Sequence, residues 1–360
     1  MKGEETKMPH YIIKLRDMDA LNKCCMQLKA KKYFYKQLTF LQSIYLSTPN
    51  SIKIEELFDP TWLLRLDEDV EVQIIQDQES ATTEHVGVPW GIKKIGAVYS
   101  RIPSRYPRPK VAVIDTGLRR HPAIRVSSQY VNFTTEGSAL DYNGHGTHIA
   151  GTIAGYSPRA NRRNEFHGVY PQLPIMAVKA FNRDGSARIS AILESIEWCI
   201  KNEVRIMNMS FGLDQHHPAL YEAIQTASQK GILMVAASGN EGGNGLKYPA
   251  RYPEVISVGS INKENEISSF SQYGSNLDIV APGEEIVSTW KNKKFKTLSG
   301  TSMACGHITG AIAIILSIKP ELTAREARQI LLSNTVRLNT PSIMQGYGLV
   351  SLKNMINSLK

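Results

Sequence analysis

The stretch Val111-Ala112-Val113-Ile114-Asp115-Thr116-Gly117 decides the fold class of this chain of 360 residues. Residues 110–114 carry the apolar, β-branched pattern of a buried strand, and Thr116-Gly117 ends that strand. A carboxylate directly after such a strand opens into the crevice where α/β sheets bind ligands. We therefore expect an α/β fold, with a mostly parallel central sheet flanked by helices and Asp115 at the carboxyl edge of the sheet.

Two further motifs supply a base and a nucleophile to accompany this carboxylate. His145 stands in Asn143-Gly144-His145-Gly146-Thr147-His148, whose small residues are typical of the close-packed start of a helix. Ser302 stands in Gly300-Thr301-Ser302-Met303-Ala304, ahead of an apolar run at 308–318 that predicts a buried helix. A serine hydroxyl becomes a useful nucleophile only when a base takes its proton and a third group fixes the tautomer of that base. Asp115, His145 and Ser302 are the residue types that this chemistry requires.

In these motifs, and in the chain order Asp, His, Ser, the chain resembles the subtilisin-like serine proteases, or subtilases, from about residue 90 to about residue 350. The resemblance implies a subtilisin-like three-layer fold and a serine endopeptidase that hydrolyses protein or peptide substrates through an acyl-enzyme. It implies Ser302 as nucleophile, His145 as general base and then acid, and Asp115 as the residue that orients His145. It also implies that the side-chain amide of Asn240 holds the oxyanion with the Ser302 N–H.

The resemblance also indicates where a substrate binds. The family adds its substrate as an extra strand to a segment that matches residues 209–212 here. The residues that it implies in substrate binding are Ser210, Phe211, Gly212, Ser238, Gly239 and Lys247. The ammonium of Lys247 at the base of the specificity pocket favours an acidic or polar substrate side chain, whereas Glu241 at the rim would neutralise it. The sequence leaves both interpretations open.

Two other histidines and one other function compete with this interpretation. His148, three residues after His145, and His307, five residues after Ser302, are alternative bases, but the family pattern assigns both to packing. The alternative function is that of a non-catalytic protein that binds peptides in the same groove. The complete triad and Asn240 argue against it, because such proteins commonly lose one member of the set.

Two departures from the family pattern concern calcium. The family's tight site uses an acidic residue shortly after the catalytic aspartate, where this chain has Ala123. The loop at 156–167, which matches a ligand-bearing loop of the family, contains the cation-repelling side chains Arg159, Arg162 and Arg163. We therefore expect no metal ligands and no tight calcium site, while a weak calcium site elsewhere stays open. The chemistry is expected to require no cofactor.

Residues 1–77 predict a small α+β unit of ferredoxin-like type. The apolar patterns predict a strand at 11–15, a mostly helical stretch at 20–41 and a final strand at 70–75. The unit resembles the family's propeptide, and an ordinary accessory domain is the alternative. Residues 78–87 are then a cleavable linker, with the cut between Gln78 and His85, and residues 88–360 are the catalytic domain. We expect an autoprocessed zymogen whose own N-terminal unit is an intramolecular inhibitor.

Composition narrows the remaining classes of function. Hydrophobic residues at 42% and charged residues at 21% are ordinary for a globular protein, and a net charge of +9 without an arginine-rich tract predicts no nucleic-acid partner. The four cysteines indicate reduced thiols, and the most apolar stretch, 308–318, is too short to span a bilayer, so no membrane partner is expected. The first residues lack an apolar leader, which predicts a cytoplasmic protein and leaves export by another route open.

Overall fold

The computed structural model describes residues 9–48, 54, 57–83, 87–97, 102–103, 105–157 and 165–360, and only the backbone of residues 80–83. The N-terminal unit consists of β1 (His10–Leu15), α1 (Met18–Ala30), β2 (Tyr35–Leu38), β3 (Ser43–Ser47) and β4 (Leu63–Glu68). Its strands form an antiparallel sheet in the order β2-β3-β1-β4. The described part of this unit is thus an α+β arrangement.

The helix of this unit is shorter than the sequence predicts. Asp17 caps α1 by accepting a hydrogen bond from Ala20 N, and Leu21 and Leu28 lie on its buried face. The helix ends at Ala30, and part of the stretch that we expected to be helical, 20–41, forms β2 instead. Strand β2 is stabilised by pairing with β3, and such cross-strand contacts are not visible in a local apolar pattern.

Three elements connect the two units. They are β5 (Glu71–Ile74), β6 (Gln78–Thr83) and α2 (Trp90–Lys94). The strand expected at 70–75 is therefore present, but it does not join the N-terminal sheet. It pairs instead with strands of the second unit, and β6 does the same.

The second unit is built on a seven-stranded parallel sheet. The strands of the whole second unit, inside and outside this sheet, are β7 (Val111–Asp115), β8 (Val131–Asn132), β9 (Tyr156–Ser157), β10 (Phe166–His167), β11 (Ile175–Lys179), β12 (Ser186–Arg188), β13 (Ile206–Met209), β14 (Phe211–Gly212), β15 (Leu233–Ala237), β16 (Val255–Ile261), β17 (Ile279–Pro282), β18 (Ile286–Thr289) and β19 (Phe295–Ser299). Its helices are α3 (His145–Ala154), α4 (Ile189–Lys201), α5 (Pro218–Gln229), α6 (Thr301–Ile318), α7 (Ala324–Ser333), α8 (Ser342–Gln345) and α9 (Leu352–Asn357). The main sheet has the order β17-β16-β15-β13-β7-β11-β8.

The burial of this sheet agrees with its parallel strands and its central position. Every residue of β7, β11, β13, β15, β16 and β17 is buried, as expected for a parallel sheet that is covered on both faces. Helices α3 and α6 pack against each other and against the sheet, and α4 and α5 form a second pair. The expected α/β fold with three layers is confirmed.

Helix α6 begins earlier than the apolar run predicts. It starts at Thr301, so that Ser302 lies in its first turn, and it continues to Ile318. This 18-residue helix is long and apolar enough to cross a membrane, but 94% of it is buried inside the protein. It forms the centre of the hydrophobic core.

Candidate active site

The fold brings Asp115, His145 and Ser302 together from three separate elements. Asp115 ends β7, His145 begins α3 and Ser302 is the second residue of α6. His145 Nδ1 lies 2.8 Å from Asp115 Oδ1 and 2.9 Å from Asp115 Oδ2. All three residues are buried, and Ser302 Oγ has no hydrogen-bond partner among the described residues. His145 is thus oriented by a carboxylate, and the hydroxyl of Ser302 is not engaged by another described residue.

A hydrogen-bond network that the sequence analysis missed joins the aspartate motif to the histidine motif. Thr116 N donates to Asp115 Oδ1 (2.7 Å), and Thr116 Oγ1 donates to Asp141 Oδ1 (2.9 Å). The buried Asp141 carboxylate also accepts hydrogen bonds from Gly144 N (2.7 Å) and Thr147 N (2.9 Å) at the start of α3. Asp141 therefore fixes the helix start relative to β7. Its position shortly before the glycine-rich histidine motif was the signal that could have identified it.

A buried lysine supports the chain at Thr116, directly after β7. Lys179 Nζ donates to the carbonyl oxygens of Thr116 (2.7 Å) and Phe181 (2.9 Å) and lies 3.1 Å from Glu136 Oε2. Strand β11 places Lys179 directly beside Asp115 in the parallel register. Because the side chain is fully buried, its charge requires these oxygen partners. Nothing in the local sequence around Lys179 indicated this role.

Asn240 is held in the orientation that an oxyanion donor requires. Its Oδ1 accepts hydrogen bonds from Thr301 N (2.9 Å) and Thr301 Oγ1 (2.8 Å), so its Nδ2 points into the site. The N–H of Ser302 belongs to the first turn of α6, where backbone donors lack intrahelical acceptors and the helix dipole favours negative charge. These two groups can stabilise an oxyanion beside Ser302.

The groove next to the triad contains a segment of the chain's own N-terminal unit. Strand β5 lies between β12 and β14 and is antiparallel to both, with Gln73 opposite Gly212. Ile75 N donates to the Ser210 carbonyl oxygen at 3.2 Å. A peptide is therefore bound as an added strand along Ser210, Phe211 and Gly212.

The surroundings of Lys247 bear on the two interpretations that the sequence left open. Its Nζ lies 2.5 Å from Asp214 Oδ1 and 2.6 Å from Glu241 Oε1, and the side chain is 11% exposed. Burial lowers the pKa of Lys247, but the two carboxylates raise it, and the net result is a raised pKa. The structure thus favours the neutralised interpretation. Asp214 was not identified from the sequence.

The other two predicted pocket residues lie on the loop after β15. Ser238 is buried, and its Oγ has no hydrogen-bond partner among the described residues. Gly239 has a φ of +123°, and a Cβ there would lie 1.7 Å from Gln272 Oε1. Only glycine fits this position, which leads directly into Asn240.

The two alternative histidines are bound to backbone carbonyls. His148 Nε2 lies 3.1 Å from the Ile286 oxygen and 3.0 Å from the Lys296 oxygen, and burial lowers its pKa to about 3. His307 Nδ1 lies 2.9 Å from the Met303 oxygen, and burial lowers its pKa to about 4. Both side chains therefore stay neutral and serve packing.

The residues relevant to calcium are only partly described. Ala123 is buried and apolar, and its carbonyl oxygen accepts a hydrogen bond from Tyr156 N. This position does not supply the carboxylate that a tight site needs. Arg159, Arg162 and Arg163 lie outside the described residues, and so do Glu84 and His85 of the linker. The absence of a tight site stays a prediction.

Comparison with known proteins agrees with the geometry. A model of the subtilase family matches residues 107–348. A thermostable alkaline protease of Halalkalibacterium halodurans is 37% identical over 289 residues, which cover 80% of this chain and 78% of that protein. Subtilisin BL of Lederbergia lenta is 38% identical over 270 residues, or 73% of this chain and 97% of that protein. A minor extracellular protease of Bacillus subtilis is 37% identical over 249 residues, or 68% of this chain and 38% of that protein.

The expectation of a cytoplasmic protein is wrong by this comparison. The similar alkaline proteases and subtilisins, among them a relative named as extracellular, point to an extracellular rather than a cytoplasmic place of action. The expectation rested on the lack of an apolar leader in the first residues, and that lack does not decide where a protein acts.

Proposed function

The chain belongs to the subtilase family and is a subtilisin-like serine endopeptidase, and on this premise we propose that it is made as a zymogen inhibited by its own N-terminal unit. The observation that carries the proposal is the course of residues 71–77 across the catalytic centre, where β5 occupies the groove that a substrate strand would use. A substrate cannot enter while this segment is bound.

Contacts between the two units support the proposal. Lys36 Nζ lies 2.7 Å from Glu194 Oε2, and Thr39 Oγ1 donates to Glu197 Oε1 (2.7 Å), so the N-terminal sheet is fixed to α4. Asp69 accepts hydrogen bonds from Ser190 N (2.7 Å) and Ser190 Oγ (2.8 Å) in the first turn of α4. Asp69 lies two residues before β5, so these contacts fix where the segment enters the groove.

The proposed reaction in the released enzyme is acyl transfer to water. Ser302 Oγ attacks the peptide carbonyl carbon while His145 Nε2 accepts the hydroxyl proton, and Asp115 stabilises the resulting imidazolium. Asn240 Nδ2 and the Ser302 N–H stabilise the oxyanion. His145 then gives its proton to the leaving amine as the C–N bond breaks, and water hydrolyses the acyl-enzyme by the same steps. No step requires a metal ion.

Intact mass and N-terminal sequencing of the purified full chain test the zymogen. We expect the wild type to lose its N-terminal unit by a cut between Gln78 and His85, and Ser302→Ala to remain full length. The same cut in Ser302→Ala, made without added protease, would contradict autocatalysis. A fluorophosphonate probe should label the wild type and leave Ser302→Ala unlabelled, which separates a protease from a peptide-binding protein that has no activity.

A further inference from the structure

The strand pairing of the N-terminal segment places Ile75 in the specificity pocket. Ile75 N donates to the Ser210 oxygen, and the Ile75 side chain is only 6% exposed. A Cβ at Gly212 would lie 3.5 Å from Ile75 Cγ1, so this side chain lies against the pocket wall. A peptide bound for cleavage after Ile75 would present the carbonyl oxygen of Ile75 to the oxyanion donors.

The oxyanion donor instead contacts the next residue along the chain. Asn240 Nδ2 donates to the carbonyl oxygen of Gln76 at 3.0 Å. The residue in the pocket and the carbonyl at Asn240 are therefore offset by one position. The segment is bound along the substrate groove, but in a register that does not match cleavage.

The carboxylate of Asp77 occupies the catalytic centre itself. Its Oδ1 accepts a hydrogen bond from Asn240 Nδ2 (3.0 Å), and its Oδ2 lies 3.1 Å from His145 Nε2. Among the described residues, neither Asp77 Oδ2 nor His145 Nε2 has a hydrogen-bond partner elsewhere. Gly300 leaves room for the carboxylate, since a Cβ there would lie 1.8 Å from Asp77 Oδ1.

We propose that the catalytic centre is a carboxylate-binding site and that Asp77 is its built-in inhibitory ligand, bound between Asn240 and His145. Residues 75–77 thus act as an inhibitor and not as a substrate. The ligand is a side-chain carboxylate of a peptide. It belongs to the residue that follows the one whose backbone carbonyl accepts a hydrogen bond from Asn240. This inference rests on the proposed function, because it assigns the inhibition to one side chain of the N-terminal unit.

The charge of the site explains how the carboxylate inhibits. His145 lies between Asp115 on its Nδ1 side and Asp77 on its Nε2 side. Burial alone would lower the pKa of His145, but the two carboxylates raise it well above its usual value of 6.5. An imidazolium cannot accept the proton of Ser302. The Asp77 contact therefore blocks the base as well as the oxyanion donor.

The sign of the pH dependence follows from the same groups. Because the pKa of His145 is raised in the inhibited state, the contribution of His145 to the attraction is complete below the usual histidine pKa and is lost as the pH rises through the raised value. Burial raises the pKa of Asp77, so the attraction is also lost in acid. Other charged groups near this part of the cleft are Glu79, which pairs with Lys296, and Asp184, which accepts hydrogen bonds from Ser186.

The test compares Asp77→Asn with Glu79→Gln in the full chain. Both variants replace a carboxylate with an amide of the same shape, but Glu79 contacts Lys296 and not the triad. The measurement is the rate at which a fluorophosphonate labels the full-length band at pH 7, with gel electrophoresis separating that band from any self-cleaved product. We expect labelling of Asp77→Asn to be at least about tenfold faster than that of the wild type, and Glu79→Gln to match the wild type. The labelling rate of the wild type should rise at a higher pH than that of Asp77→Asn.

Two results would overturn the inference. One is equal labelling of Asp77→Asn and the wild type, and the other is a wild type that cuts itself next to Gln76 as fast as the variant does. Thermal unfolding checks that the variants fold, and Asp77→Ala provides a second removal of the carboxylate. If neither the wild type nor any of these variants is labelled, Ser302 is not the nucleophile and the proposed function fails. If the wild type and Asp77→Asn are labelled equally and Ser302→Ala abolishes the labelling, the inhibitory role of Asp77 is contradicted and the proposed function is not.

Discussion

At the residue scale, the candidate active site depends on hydrogen bonds that hold its functional groups in place. Asn240 is the clearest case, because both donors of Thr301 fix its Oδ1 and thereby aim its Nδ2. Asp141 has the same relation to His145, since it accepts the backbone N–H groups that precede and begin α3. Such preorganised donors and acceptors lower the barrier because they need not rearrange during the reaction.

Replacing Asp141 tests this support. In Asp141→Ala, the N–H groups of Gly144 and Thr147 and the hydroxyl of Thr116 lose a buried acceptor. We expect the free energy of unfolding to fall by about 2–4 kcal/mol, measured by urea unfolding of the full chain in the Ser302→Ala background. Glu264→Ala, at an exposed carboxylate, is the control and should change it by less than about 0.5 kcal/mol. A loss in Asp141→Ala no larger than in this control would contradict the proposed support.

Replacing Lys247 tests the charge of the specificity pocket. Lys247→Met keeps an apolar stem against Gly212 but leaves Asp214 and Glu241 without a cation. We expect kcat/KM for a basic residue before the cut to rise by about threefold relative to leucine, a modest change because both carboxylates are largely exposed. A peptide library measures it, with Lys263→Met, which breaks an ion pair with Glu285, as the control. An unchanged profile would show that the pocket charge does not select substrates.

At the element scale, α3 and α6, which carry His145 and Ser302, pack against each other. Both helices are buried along their length, and glycines on α6 allow close approach of neighbouring segments. A Cβ at Gly310 would lie 2.5 Å from Val169 Cβ, whereas a Cβ at Gly306 would lie 3.2 Å from Thr152 Cγ2. An added methyl group therefore has no space at Gly310 and nearly enough space at Gly306.

These two glycines make a matched pair of variants. Gly310→Ala must displace Val169, and we expect a loss of about 1–3 kcal/mol in the free energy of unfolding. At Gly306→Ala, the better helix propensity of alanine, worth about 1 kcal/mol, offsets the tight contact with Thr152, so we expect little net change. Thermal unfolding of both variants in the Ser302→Ala background measures the difference. Equal losses would show that helix packing near Ser302 does not distinguish the positions.

The turn at residues 121–123 carries the prediction about calcium. His121 Nδ1 accepts a hydrogen bond from Ala123 N, and Ala123 brings no carboxylate, so calcium has little to bind there. We expect excess EDTA to leave the melting temperature of the full chain within about 1 °C of its value with added calcium, because no binding energy is lost. A melting temperature that falls markedly with EDTA and returns when calcium is added would contradict the prediction.

At the scale of the whole molecule, short motifs predicted residues that lie at the ends of strands and helices. Contacts between distant segments determined the features that the sequence did not reveal. Asp115, His145 and Ser302 could be predicted as a candidate triad because each stands in a distinctive short motif next to a strand or helix. Asp214 and Lys179 could not, because their roles depend on partners on other elements. The strand at 70–75 was visible in the alternation of apolar residues, but its insertion between β12 and β14 was not. Asp77 was placed at the end of the N-terminal unit without a role, since only the folded chain brings its carboxylate to His145.

The contact between the two units provides the last prediction. Lys36 on the N-terminal sheet and Glu194 on α4 form an ion pair at 2.7 Å, with the glutamate mostly buried. Lys36→Glu places two carboxylates together and Glu194→Lys places two ammonium groups together, so each should lower the melting temperature of the full-length Ser302→Ala protein. The double variant restores an opposite pair and should recover most of the loss, with a coupling of about 0.5–1 kcal/mol. Losses that simply add in the double variant would show that this ion pair does not hold the N-terminal unit in place.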